Sequence, residues 1–181
     1  MRGNSHWMKS LHYLAYGSNL HPLRLMERVP SARLIGVTEI TGYQLRFHKR
    51  GKDGSAKCDL CWSDDRKSSV FGAIYRIASN EKPILDRAEG RGSGYLDTGI
   101  TVQHGHIEFH CFTYLAQQSH IANGLKPFHW YKELVALGAK HLDFPHAYIE
   151  CIQSVDSAQD HDNERRQYNE ALLRRVRLFI G

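Results

Sequence analysis

The sequence predicts an α+β domain: a mixed, largely antiparallel β-barrel with peripheral helices. Strand-like segments outnumber helical ones, and most come as sequence-adjacent pairs separated by a turn. A length of 181 residues, with 41% hydrophobic and 24% charged side chains, suits one globular domain able to bury a core.

Residues 1–10 are polar and hold no apolar stretch long enough for the core of a secretory signal, so they are expected to be a leader or vector remnant. Leu11 to Tyr16 is an apolar and aromatic run broken only by His12, followed by Gly17-Ser18-Asn19, which reads as a buried strand ending in a turn. Asn19 is the expected cap of a short helix with Pro22 in its first turn, ending before Pro30. Two strands flank Thr41-Gly42 between Arg33 and Phe47, and a mobile surface loop is expected from His48 to Ala56. Lys57 to Trp62 forms another strand, and Ser69 to Ile77 places Phe71, Ala73, Tyr75 and Ile77 on one face. Ser79 or Asn80 is expected to cap a helix from Glu81 that Glu89 closes and Gly90 ends. Tyr95 to Gln103 and Ile107 to Leu115 form a hairpin turning at His104-Gly105.

Helical spacing returns in Trp130, Leu134 and Leu137, with a stop expected at Gly138, and again in Ala147, Tyr148, Cys151 and Ile152 after Pro145. Residues 156–181 read as one amphipathic helix whose packing face holds Tyr168, Leu172, Val176 and Phe179. That face would pack on the 11–155 domain or on a partner subunit.

Several function classes are excluded. No apolar run reaches the roughly 20 residues of a membrane helix. The net charge of +5 is spread along the chain with carboxylates between the basic residues, so no nucleic-acid partner is expected. Cys58, Cys61, Cys111 and Cys151 are too few for a disulfide scaffold, which points to reduced thiols and a cytoplasmic setting. Cys58 and Cys61 have C-x-x-C spacing but no second pair, and the twelve histidines form no ligand motif, so no metal is expected. Dinucleotide loops, phosphate loops and G-x-S-x-G elbows do not occur.

What remains is a turn and a carboxylate. Gly17 allows a ligand close to the backbone, and unpaired amides after it suit a carboxylate, although Ser18 and Asn19 could serve only as caps. Glu89 sits at the negative end of its helix dipole beside a run of glycines. Dipole and burial there would disfavour its charged form, the condition for alternating between general base and general acid, unless it is simply a surface residue.

Tyr13-Leu14-Ala15-Tyr16-Gly17-Ser18-Asn19-Leu20 resembles the signature turn of γ-glutamyl cyclotransferases. Phe71-Gly72-Ala73-Ile74-Tyr75, Leu85-Asp86-Arg87-Ala88-Glu89-Gly90 with Gly94-Tyr95, Thr113-Tyr114-Leu115, and Tyr131-Lys132 through Gly138-Ala139 follow in the family's order, so the likeness spans residues 11 to 155. The resemblance implies a cofactor-independent enzyme in which Tyr13, Leu14, Ala15, Tyr16, Gly17, Ser18 and Asn19 hold the γ-glutamyl group. It further implies that Glu89 moves protons and that Tyr95, Tyr114 and Tyr131 line the pocket, with core packing the plainer role for Tyr114. The implied reaction releases 5-oxoproline and a free amine or amino acid from a small γ-glutamyl substrate, in a monomer or homodimer. A non-catalytic small-molecule binder of the same fold and a γ-glutamylamine-specific cyclotransferase are the alternatives.

Overall fold

The computed structural model describes residues 9–179. Most of the expected leader therefore lies outside the described residues, and Ser10 already opens the first strand. The elements, in chain order, are β1 (Ser10–Ala15), α1 (Pro22–Met26), β2 (Arg33–Thr41), β3 (Tyr43–Arg50), β4 (Ala56–Trp62) and β5 (Ser69–Ala78). They continue as α2 (Lys82–Glu89), β6 (Tyr95–His104), β7 (Ile107–Ala116), α3 (His129–His141), α4 (His146–Ser154) and α5 (Asn163–Leu178).

Five strands form one mixed sheet in the order β2-β5-β1-β7-β6, and β3-β4 is a separate hairpin. All ladders are antiparallel except β1 with β7, where Tyr13 lies beside Phe112. The sheet curls into a half-barrel. Its edge strands meet where His104 Nδ1 lies 2.8 Å from the Val37 carbonyl, over Gly36, where a Cβ would stand 2.4 Å from the His104 ring. The hairpin is tied on where Asp59 accepts from the Ala116 N–H at 2.8 Å.

β1 is central, and its apolar second half is enclosed: Tyr13, Leu14 and Ala15 are all buried between two neighbouring strands. β5 beside it is buried on both faces, since Val70 and Ile74 are as enclosed as Ala73, Tyr75 and Ile77.

Four expectations are corrected. The loop expected over His48 to Ala56 is only residues 51–55: β3 runs on through Arg50, and the Gly51 N–H donates to the Ser55 carbonyl at 2.8 Å. Asn19 does not cap α1; the imidazole of His21 accepts from the Leu23 N–H at 3.2 Å instead. Neither Ser79 nor Asn80 caps α2, because a 3₁₀ turn, Ser79–Glu81, leads into it. Gly138 does not end α3, which continues to His141.

α5 packs against α3 and α1 of the same chain through Leu172, Leu173 and Val176, all buried. Tyr168 and Phe179 are mostly exposed, so the packing face is rotated from the one expected. Among the described residues, no helix is long and apolar enough to cross a membrane.

Candidate active site

The turn after β1 leaves the sheet at its centre. Gly17 to Leu20 closes as a β-turn, with the Leu20 N–H donating to the Gly17 carbonyl at 3.0 Å. Directly behind Gly17 lies β4: a Cβ on residue 17 would approach Cys58 Cβ to 3.1 Å and the Tyr131 hydroxyl to 3.7 Å.

α2 delivers Glu89 to the same place. Its last turn ends with Gly90 in the left-handed region (φ 72°), whose N–H returns to the helix carbonyls. Glu89 Oε1 accepts from Asn19 Nδ2 at 2.9 Å and is ion-paired with Arg28. Arg28 also donates to Asn19 Oδ1 at 2.9 Å, and Asn19 Nδ2 reaches the Tyr13 hydroxyl at 3.1 Å. The carboxylate is thus held by a cation and an amide, neither of which adjoins it in the sequence.

Tyr13, Tyr16, Gly17, Ser18 and Asn19 border one inner cavity of about 20 Å³. Glu89, Tyr95, Tyr114 and Tyr131 complete its wall with Cys58. Leu14 and Ala15 do not reach it, because both side chains are fully buried in the sheet, Leu14 packed over Gly72 of β5.

The tyrosines are fixed by their hydroxyls. Tyr131 accepts from the Cys58 N–H at 3.1 Å, while Tyr95 donates to the Cys58 carbonyl and Tyr16 to the Tyr114 carbonyl. Tyr114 donates to Asp86 at 2.7 Å. Burial is the main cause that pushes all five phenols of the cavity above their ordinary pKa, so they act as neutral hydrogen-bonding groups. Burial likewise pushes the Cys58 thiol up to about 12, which leaves it a poor nucleophile.

Ser18, Glu89, Tyr95 and Tyr131 also border an outer chamber of about 230 Å³, so the two spaces form one cleft with Glu89 at the junction. Cations dominate this chamber: Arg24, Arg28, Lys49, Lys52, Lys57 and Arg87 face only Asp53 and Glu89. Lys57 pairs with Asp53 at 2.7 Å and lies 4.5 Å above the Tyr131 ring, and Lys49 lies 4.4 Å above Tyr95. Burial pulls both ammonium groups below their ordinary pKa, opposed by Glu89 at Lys49 and by Asp53 at Lys57.

Arg28, Cys58, Lys49 and Asp86 were not among the site residues expected from the sequence. Arg28 lies nine residues beyond Asn19, just past α1, and no local pattern marks it. Only the return of α2 across the turn makes it Glu89's partner.

Comparisons with known proteins bear on the sequence and the fold. The model of the AIG2-like family matches residues 69–152. The human protein "Gamma-glutamylcyclotransferase" is 27% identical over 158 residues, covering 82% of this chain and 80% of that one. Its mouse counterpart is 28% identical over 154 residues, covering 80% and 78%. A solved structure named "Gamma-glutamyl cyclotransferase" superposes with a TM-score of 0.80 at 24% identity, covering 92% of this chain and 99% of that one. The crystal structure of an uncharacterized human protein superposes with a TM-score of 0.78 at 25% identity, covering 91% and 98%.

Proposed function

For a chain that resembles γ-glutamylcyclotransferases in sequence and shares their fold, we propose the reaction itself: intramolecular cyclisation of a γ-glutamyl substrate. One observation carries this reading. The Glu89 carboxylate is held by Asn19 inside the same cavity that the Gly17-Ser18 turn borders, so one small ligand can touch both.

The γ-glutamyl group enters the cleft where the two spaces join, with its γ-carbonyl toward the turn and its leaving group in the outer chamber. Glu89 takes a proton from the substrate ammonium, and the freed α-amine attacks the γ-carbonyl carbon. The tetrahedral oxyanion is steadied by backbone N–H groups of Gly17 and Ser18, whose residues border the cavity. As the C–N bond to the leaving group breaks, Glu89 returns the proton to the departing nitrogen, giving 5-oxoproline and a free amine. Nucleophile and electrophile share one substrate, so holding its bent conformer removes much of the entropic barrier, and no cofactor is needed. The neutral tyrosines hold the glutamyl chain without competing for the proton.

Incubation with a panel of γ-glutamyl amino acids and γ-glutamylamines, following 5-oxoproline, tests the reading. Glu89→Gln keeps the shape but cannot carry the proton, and its turnover is expected to fall by roughly 10² to 10⁴. Full activity in that variant would refute the mechanism. Binding without turnover across the panel would instead support a non-catalytic binder.

A further inference from the structure

β4 alternates, so while Cys58 faces the cleft, Asp59 and Cys61 share the opposite face. β3 contributes a third group there. Its register against β4 slips between Phe47 and Lys49, leaving His48 as the extra residue of a β-bulge, the device that re-aims a side chain. His48 Nε2 consequently lies 2.9 Å from Asp59 Oδ2, and Cys61 Sγ lies 3.2 Å from each of them.

From this triangle we propose that His48, Asp59 and Cys61 bind a single divalent transition metal, with zinc the best match. Imidazole, carboxylate and thiolate are all zinc ligands, and bonds of about 2.0–2.3 Å at tetrahedral angles place such donors about 3.3–3.6 Å apart. The triangle needs to open by only a few tenths of an ångström.

A hydrogen-bonded relay for a nucleophilic thiol does not fit. Asp59 and Cys61 both converge on the same nitrogen, Nε2, whereas a relay needs one partner on each ring nitrogen. Three donors aimed at one point are instead a ligand set. Burial, with Asp59 beside it, pushes the free Cys61 thiol up to about 12, so binding must expel that proton to solvent as the S–metal bond forms. The carboxylate and thiolate together then balance the dication.

Support exists on both sides of the triangle. The second oxygen of Asp59 accepts from the Ala116 N–H at 2.8 Å, which fixes the carboxylate as supporting contacts do around known metal sites. His48 and Asp59 side chains are only 14% and 8% exposed, and a recess of about 400 Å³, bordered by Gln118 and Asn123, leaves room for a fourth, solvent ligand.

Cobalt(II) is the probe. The reduced full-length protein is expected to take up one equivalent and show both tetrahedral ligand-field absorption and a thiolate-to-cobalt charge-transfer band. Cys61→Ser and His48→Gln should each weaken uptake by more than the roughly 10–100-fold that loss of a supporting contact costs. Cys151→Ser, at the exposed cysteine, should leave it unchanged. Zinc should raise Tm in the parent and not in Cys61→Ser. No tetrahedral cobalt spectrum in the parent, a thiolate band surviving in folded Cys61→Ser, or undiminished uptake by folded His48→Gln overturns the proposal.

Discussion

Gly17 is small because the wall behind it is close. Cys58 Cβ would stand 3.1 Å from a methyl at residue 17, tighter than ordinary contact, and the Tyr131 hydroxyl lies just beyond. An added methyl would push β4 outward or narrow an inner cavity of only about 20 Å³. Gly17→Ala is therefore expected to raise KM for γ-glutamyl substrates about tenfold or more, consistent with overpacking costs of roughly 1–3 kcal/mol, with kcat less affected. Steady-state kinetics of 5-oxoproline release check it, and an unchanged KM would mean that the substrate lies elsewhere. Glu89 belongs to the same scale: Asn19 and Arg28 hold its carboxylate, and neither contact follows from its position on α2.

Among elements, α3 and the β1 turn are coupled at Gly138. A Cβ there would stand 2.6 Å from Leu20 Cβ and 3.0 Å from the His21 amide nitrogen. Helix propensity alone favours alanine by about 1 kcal/mol. The clash is with backbone and a fully buried leucine, which cannot swing away, so overpacking of about 1–3 kcal/mol should outweigh that gain. Gly138→Ala should lower the urea midpoint, and because Leu20 ends the Gly17 turn, turnover should fall with it. A stabilised, fully active variant would contradict this packing. The same position shows why the sequence misled: glycine at the end of a periodic run is a good helix stop, and only the approach of another chain segment distinguishes a stop from a contact.

Across the whole molecule, two buried ionisable groups set an acid limit. His21 is fully buried where α1, α3 and α5 meet, its ring 4.5 Å from that of His141, and burial, then His141, push its pKa down to about 4. The unfolded chain, with imidazole near 6.5, takes up the proton first, so the stability contributed by neutral His21 is complete above about 6.5 and is lost as pH falls through about 4. Asp160 behaves likewise at lower pH. Hydrogen bonds from Arg165 first, and from Trp130 and the Asp162 N–H, hold it down at about 2, against burial. Its contribution is present above the ordinary carboxylate value of about 3.9 and is lost as pH falls through about 2. Tm is expected to decline in two stages from pH 7 to pH 2, and His21→Asn, which can still cap α1, should remove the upper one. A parent Tm flat between pH 7 and 4.5 would rule out the His21 step.

The order of strands and helices, the signature turn and the carboxylate that ends α2 were legible in the sequence, because periodicity, turn residues and caps are local properties that neighbouring residues settle among themselves. The likeness to γ-glutamyl cyclotransferases rested on the same local segments. What only the tertiary structure decided is which segments meet: Arg28 against Glu89, Gly138 against Leu20, and His48 beside Asp59 and Cys61. Each pairing depends on strand order, a register slip or the return of a distant helix. Charge balance and close packing there are set by atoms that are far apart along the chain.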